Sequence, residues 1–358
     1  MQPVRLACLS FIACCAALAA QAAEPILACD AVANARPVCT FQNPEDLAPL
    51  PGGEALLVSE YGAMQGDKAG DLALFVLASD ERTVLYRGGA QAKPTAGWGD
   101  PACPGAPPAE FSPHGIDLFE RPDGKLALLV VQHGGRESIE FFEVTGAGTH
   151  WEVAWRGCVL APEDAWLNEV VGLADGGLLT TKMMPRSAGM GSIEEPPTEP
   201  TGHAFAWSAA EGFSEIPGSV GIMPNGIEAS PDGKTVYLNV SMENQVRKID
   251  RATGEVQARA EVAMPDNITW SPDGKRLLVA SLRGTDPEAF ALCESMTAGA
   301  CPIAFAIVSV DPETMTASDV YASDGPPMGA GTVGLQVGDE LFIGSFKGDR
   351  VLRVKLGQ

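Results

Sequence analysis

The feature that most constrains this chain is a short design written six times, a polar turn containing glycine followed at once by an apolar run. The six copies are PGGEALLVSE (51–60), PDGKLALLVV (122–131), ADGGLLTTKM (174–183), PDGKTVYLNV (231–240), PDGKRLLVAS (272–281) and VGDELFIGSF (337–346). Each run is too short for an ordinary helix and is rich in residues that favour extended backbone. Weaker strand signals lie between them, at RTVLYRG, IEFFEV, QVRKID, FAIVSV and RVLRVKL. Helical periodicity is nearly absent, and 40 Gly and 28 Pro supply the turns that many short strands need. Repeats carrying several strands each predict an all-β chain, a β-propeller of six blades. A two-sheet sandwich assembly is the rival, but it leaves the recurring turn unexplained.

The N-terminus has Arg5, an apolar stretch from Leu6 to Ala20 and a small-residue end at Ala20-Gln21-Ala22. That pattern predicts a signal peptide over 1–22, cleaved after Ala22, and a mature single domain over 23–358. A lipoprotein attachment at Cys14 is disfavoured by Phe11. No later apolar run is long enough to cross a bilayer, so an exported protein, periplasmic or secreted, is expected. The formal net charge of −22 argues against nucleic acid or an anionic membrane as partner. Six cysteines remain after the signal segment: Cys29, Cys39, Cys103, Cys158, Cys293 and Cys301. An even number in an exported chain without Cys-x-x-Cys spacing predicts disulfides. Six allow fifteen connectivities; short loops favour Cys29–Cys39 and Cys293–Cys301, leaving Cys103–Cys158.

Familiar hydrolase and cofactor signals are missing. There is no Gly-x-Ser-x-Gly and no His-Glu-x-x-His, and the glycine pattern at Gly329, Gly331 and Gly334 leads into a strand instead of a helix. What stands out instead is a set of oxygen-bearing side chains: Glu45-Asp46, Asn168-Glu169, Asn225 in Pro-Asn-Gly, and Asp266-Asn267 in Pro-Asp-Asn. Taken singly, Pro-Asn-Gly reads as a turn and Glu-Asp as surface. Together they precede the recurrent strands at similar offsets, six residues in the cases of Asn225 and Asp266. Equivalent blade positions converge on one axis, and mixed carboxylates and amides are what Ca²⁺ accepts. Two Pro/Gly-rich insertions, 91–113 and 184–202, read as loops over the binding face. The methionines beside the second, Met183, Met184 and Met190, suit an adaptable apolar pocket.

Two histidines bracket the second copy of the repeat, His114 in PHGI and His133 in VVQH. With LNE (167–169), PNGIEASPDGKTVY (224–237), PDNITWSPDG (265–274) and GTVGLQVGDELFIGSF (331–346), this set resembles the paraoxonase family of arylesterases and lactonases from about Glu45 onward. The Asn-Gly-Ile…Ser-Pro-Asp-Gly part is shared with gluconolactonase-type propellers. The resemblance implies two calcium ions in a central channel. A catalytic ion would take Glu45, Asn168, Asn225, Asp266 and Asn267; a structural one would take Asp46, Glu169 and the carbonyl of Ile116. Glu169 stands where the family usually has Asp. The family's disulfide between the chain ends has no C-terminal cysteine here, so closure by strand pairing is expected.

The function expected on this basis is hydrolysis of a small-molecule lactone or aryl ester. The ion would stabilise the developing oxyanion, His114 would take a proton from water, and His133 would orient His114. Asp266 is the alternative base or nucleophile. His150 and His203, without partners in sequence, read as surface. A gluconolactonase-like sugar lactonase, which needs no histidine pair, and a non-catalytic binding propeller are the rivals.

Overall fold

The computed structural model describes residues 24–62, 68–189, 196–284 and 286–357. The expected signal peptide and Met190 therefore lie outside the described residues. Six four-stranded antiparallel sheets are present, and all six turn-plus-run segments supply the second strand of one. These second strands are Ala55–Glu60, Leu126–Gln132, Leu178–Pro185, Thr235–Val240, Leu277–Leu282 and Glu340–Ser345. The first strands are Pro44–Pro49, Pro113–Glu120, Ala165–Gly172, Pro224–Ala229, Pro265–Trp270 and Gly331–Val337. Each of these touches the next, and the sixth touches the first, so they form a closed ring. The fold is a six-bladed β-propeller.

The apolar runs are continuous because both faces of each sheet are covered, a condition that removes the in–out alternation of a half-exposed strand. Six clusters of buried side chains lie between adjacent blades, and a seventh, smaller one holds Trp166, Met183, Met184 and Met223. Leu128 and Leu129 show the arrangement: both are fully buried, but Leu128 packs toward blade 1 and Leu129 toward blade 3. Truncating either to Ala costs about 2–5 kcal/mol on the scale of buried leucines.

The ring closes by strand pairing. Ala35–Val38 adds antiparallel to Val351–Lys355 as the outer strand of blade 6, so the last blade contains both ends of the described chain. Arg350, fully buried, secures the preceding segment by donating to the carbonyls of Ile26 and Ala28, and donates also to Pro327 O. Three disulfides are present, Cys29–Cys39, Cys103–Cys158 and Cys293–Cys301, and they point to an oxidising compartment.

Insertion 91–113 runs along the outer edge of blade 2. Cys103 ties it to the outer strand of blade 2, where Thr95 N–H also donates to Arg156 O. Its own Trp98 and Phe111 are buried, so apolar anchors within the segment hold it against the blade. Among the described residues one α-helix, α1 (Pro287–Ser295), interrupts the β pattern, started by the Asp286 side chain accepting from Glu288 N–H and by Pro at the first turn. Among the described residues no helix is long and apolar enough to cross a membrane.

Candidate functional site

The site residues are aimed by irregularities in the first strands. Every first strand slips register against its neighbour near its start, between Pro44 and Asp46, Pro113 and Ile116, Leu167 and Val170, Pro224 and Ile227, Pro265 and Ile268, and Gly331 and Val333. Inside those slips sit Glu45, His114, Asn168 with Glu169, Asn225, Asp266 with Asn267, and Thr332. A bulge re-aims side chains that a regular strand would send to alternate faces. Pro at the strand start needs no ladder hydrogen bond. In five blades the residue just before the strand is held at positive φ without being glycine: Asn43, Asp164, Met223, Met264 and Ala330. Such clustering of costly backbone is characteristic of sites.

Pro-Asn-Gly is thus a strand start, not a turn. Its glycine serves close approach: a Cβ on Gly226 would stand 2.4 Å from Asp266 O, and one on Gly115 2.5 Å from Asn168 O. Glu45-Asp46 is not surface either, being 1 % and 3 % exposed.

Glu45, His114, Asn168, Asn225 and Asp266 line one cavity of about 190 Å³. Its walls are Tyr61, Trp166, Met183, Met223, Met242, Met264, Leu282, Phe346 and Phe290 of α1. Met183 lines it as the composition suggested, while Met184 packs behind with Trp166 and Met223. Asn267 lies just beneath, donating 3.1 Å to Glu45 Oε1. Asn168 turns its amide nitrogen to Met183 Sδ at 3.6 Å. Of the eight buried oxygens without a hydrogen-bond partner among the described residues, four belong to this group, Glu45 Oε2, Asn168 Oδ1, Asn225 Oδ1 and Asn267 Oδ1; the others are on Tyr86, Ser112, Gln132 and Asn239. The four in this group come from four of the five residues expected to hold a catalytic ion, and unpaired buried oxygens are costly unless a donor or cation meets them. All-oxygen donors suit a hard cation. Among the described residues no cluster of three or more His, Cys, Asp or Glu is arranged to hold a metal; this set is mostly amide.

His114 Nδ1 is 2.8 Å from His133 Nε2, and His133 Nδ1 is 2.8 Å from Glu137 Oε1. Tyr61 stacks on His114 and Trp166 on His133, with ring centroids 4.7 Å apart in each case. Burial pulls the His114 pKa down, but the neighbouring Glu45 charge and the carboxylates behind it outweigh this and leave it above the ordinary value. Burial depresses His133, with Glu137 offsetting part of the effect. Loss of water and repulsion from Glu45 raise Asp266 to about 8.

Asp46, Glu169 and Ile116 line a second cavity further along the channel, together with Asp117 and Glu228. Sequence reading missed those two, although each stands three residues after a site residue, in PHGID and PNGIE. Burial and mutual repulsion lift Asp46, Glu169 and Glu228 well above the carboxylate range, and burial lifts Asp117 to about 6. Asp46 accepts from Ile116 and Leu47 N–H, Glu169 from Val170, Asp117 from Gly172 and Glu228 from Ala229. None of their oxygens is among the buried unpaired ones. His150 is exposed as expected, whereas His203 is half-buried against Phe205.

The family model described as SMP-30/Gluconolactonase/LRE-like region matches residues 122–280. That stretch contains His133, Asn168, Asn225, Asp266 and Asn267 but neither Glu45 nor His114. No curated protein matches the chain. Among solved structures, a gluconolactonase from Xanthomonas campestris is 13 % identical with a TM-score of 0.52, covering 94 % of this chain and 99 % of that one. A luciferin-regenerating enzyme is 15 % identical at 0.52, covering 88 % and 92 %. A calcium-binding protein, regucalcin, from Agrobacterium tumefaciens is 14 % identical at 0.50, covering 89 % and 92 %. The likeness is one of fold.

Proposed function

We propose that this chain is an exported, calcium-dependent hydrolase of lactones or aryl esters, of the paraoxonase-like kind. One observation carries the reading: four unpaired oxygens from blades 1, 3, 4 and 5 meet a buried histidine pair around a single apolar cavity. A calcium ion held by Glu45, Asn168, Asn225, Asp266 and Asn267 would supply a Lewis acid for the substrate carbonyl oxygen. His114 lies at the cavity wall, where its Nε2 can accept a proton from an attacking water. His133, fully buried, orients that ring. Asp266, whose pKa stands at about 8 with only protein groups around it, is the alternative base. Aromatic and methionine walls exclude water and suit an alkyl or aryl group beside the carbonyl. A second, structural ion at Asp46, Glu169 and the Ile116 carbonyl belongs to the same proposal and rests on the repulsion among the channel carboxylates.

A sugar lactonase of the gluconolactonase kind is the second reading, favoured by the family match over 122–280. Initial rates on an alkyl-substituted lactone, phenyl acetate and gluconolactone separate the two. Turnover of the alkyl lactone and phenyl acetate above gluconolactone supports the proposal. Turnover of gluconolactone alone supports the second reading, and no turnover of any would leave a binding propeller.

A further inference from the structure

Glu137 lies four residues beyond His133, just before the third strand of blade 2, and nothing in its local sequence marks it. Three donors converge on its two carboxylate oxygens. His133 Nδ1 is 2.8 Å from Oε1 and 3.0 Å from Oε2, Leu167 N–H is 2.8 Å from Oε1, and Arg186 Nη1 pairs with Oε2. Arg186 Nη2 also donates to His133 O at 2.9 Å. The guanidinium lies 5.8 Å from the centre of the Trp166 ring that stacks on His133. A backbone N–H and a guanidinium can only donate, and a carboxylate can only accept.

We infer that Glu137, clamped by Arg186, is the positioning residue that fixes the tautomers of both histidines. His133 carries its proton on Nδ1, facing Glu137. Its Nε2 therefore accepts the Nδ1–H of His114 across the 2.8 Å contact. In the neutral ring His114 Nε2 then carries the lone pair on the cavity side, with the nearest carboxylate oxygen, Glu45 Oε1, 3.5 Å away. The inference rests on the reading of His114 as proton acceptor and supplies the reason its Nε2 is the accepting atom. Arg186 comes from the segment after the second strand of blade 3, and Leu167 precedes Asn168. The relay is thus tied to the same strand that presents a candidate ligand.

The test uses the protein labelled with ¹⁵N-histidine, which has four histidines, at pH 8 with calcium chloride. Signals are assigned with His114→Gln and His133→Gln, and ring tautomers are read from long-range ¹H–¹⁵N spectra. The expected wild-type result is Nδ1–H on both rings. Glu137→Gln places an amide NH₂ among three donors, of which only the imidazole can change role, so both rings should move to Nε2–H. The same variant should lower kcat by roughly 10²- to 10⁴-fold with little change in KM, the size of effect seen when a base is held in the wrong tautomer. Wild-type His133 protonated at Nε2, or Glu137→Gln leaving both tautomers unchanged, would overturn the inference. If the variant does not fold, the wild-type spectrum decides. The spectra need no substrate. Nδ1–H on both rings in a chain that hydrolyses no lactone or ester would support the tautomer assignment and refute the functional reading. An active chain with Nε2–H rings would do the reverse.

Discussion

The two cavities along the channel are made by the same ring of first strands, yet their carboxylates are treated differently. In the upper cavity, amides spend their N–H groups on protein partners and leave oxygens unpaired beside His114. In the lower cavity, each of the four carboxylates is capped by a backbone N–H within its own or an adjacent blade. One region leaves acceptors unpaired, and the other is largely satisfied from within, although its charges still repel. In blades 4 and 5 regular pairing resumes at Ile227 and Ile268, whereas in blade 3 the slip carries Asn168 to one cavity and Glu169 to the other.

The largest effect should come from Asp266→Ala, which removes both a candidate ligand and the alternative base; hydrolysis should fall at least about 10³-fold while the melting transition persists. His114→Gln should lower kcat by about 10²–10⁴-fold and His133→Gln by less, measured on the same lactone. Comparable activity in all three variants would erase the distinction between the cavities.

Smaller effects should mark the lower cavity. Glu169→Gln should leave turnover nearly unchanged but raise the melting temperature of chelated protein by a few degrees, since it removes one of several repelling charges. With calcium present the same change should lower it, if an ion is held there. A variant that behaves alike in both conditions would remove the structural ion.

The smallest effect is a pH trend. With no cation, Asp117 is raised to about 6 and Asp266 to about 8, with Asp46, Glu169 and Glu228 raised as well. A carboxyl that binds its proton more tightly when folded stabilises the protein at low pH, and that gain is lost as pH rises through the folded value. Chelated protein should therefore lose stability between about pH 4, where carboxyls titrate unfolded, and pH 8. Calcium should flatten the curve. A chelated curve that is flat or rising over this range would contradict the raised values.

The architecture was legible because a strand covered on both faces writes its burial as a local apolar run, as at Leu126–Gln132, and a propeller repeats it. The ring of candidate ligands was legible for a related reason, since equal offsets from equal strands become neighbouring places on one axis. Glu137 and Arg186 follow no repeat. Glu137 sits in GGRESIE beside Arg136, and Arg186 reaches it from 49 residues away. Tyr61 and Trp166 were hidden likewise, because stacking on an imidazole is set by blade packing. The N-terminal strand escaped notice since ARPV is short and its partner lies at the opposite end of the chain. The attachment of insertion 91–113 to the edge of blade 2 was hidden because Pro and Gly content signals a loop without saying what holds it.

The central claim is that the unpaired oxygens of the upper cavity await a calcium ion on which hydrolysis depends. The most direct measurement is turnover of a lactone substrate by protein stripped with a chelator and verified metal-free by elemental analysis, then titrated with Ca²⁺. The account predicts that hydrolysis disappears with the metal and returns in proportion to bound calcium, with the melting temperature rising in parallel. Undiminished turnover in the verified metal-free sample would contradict it.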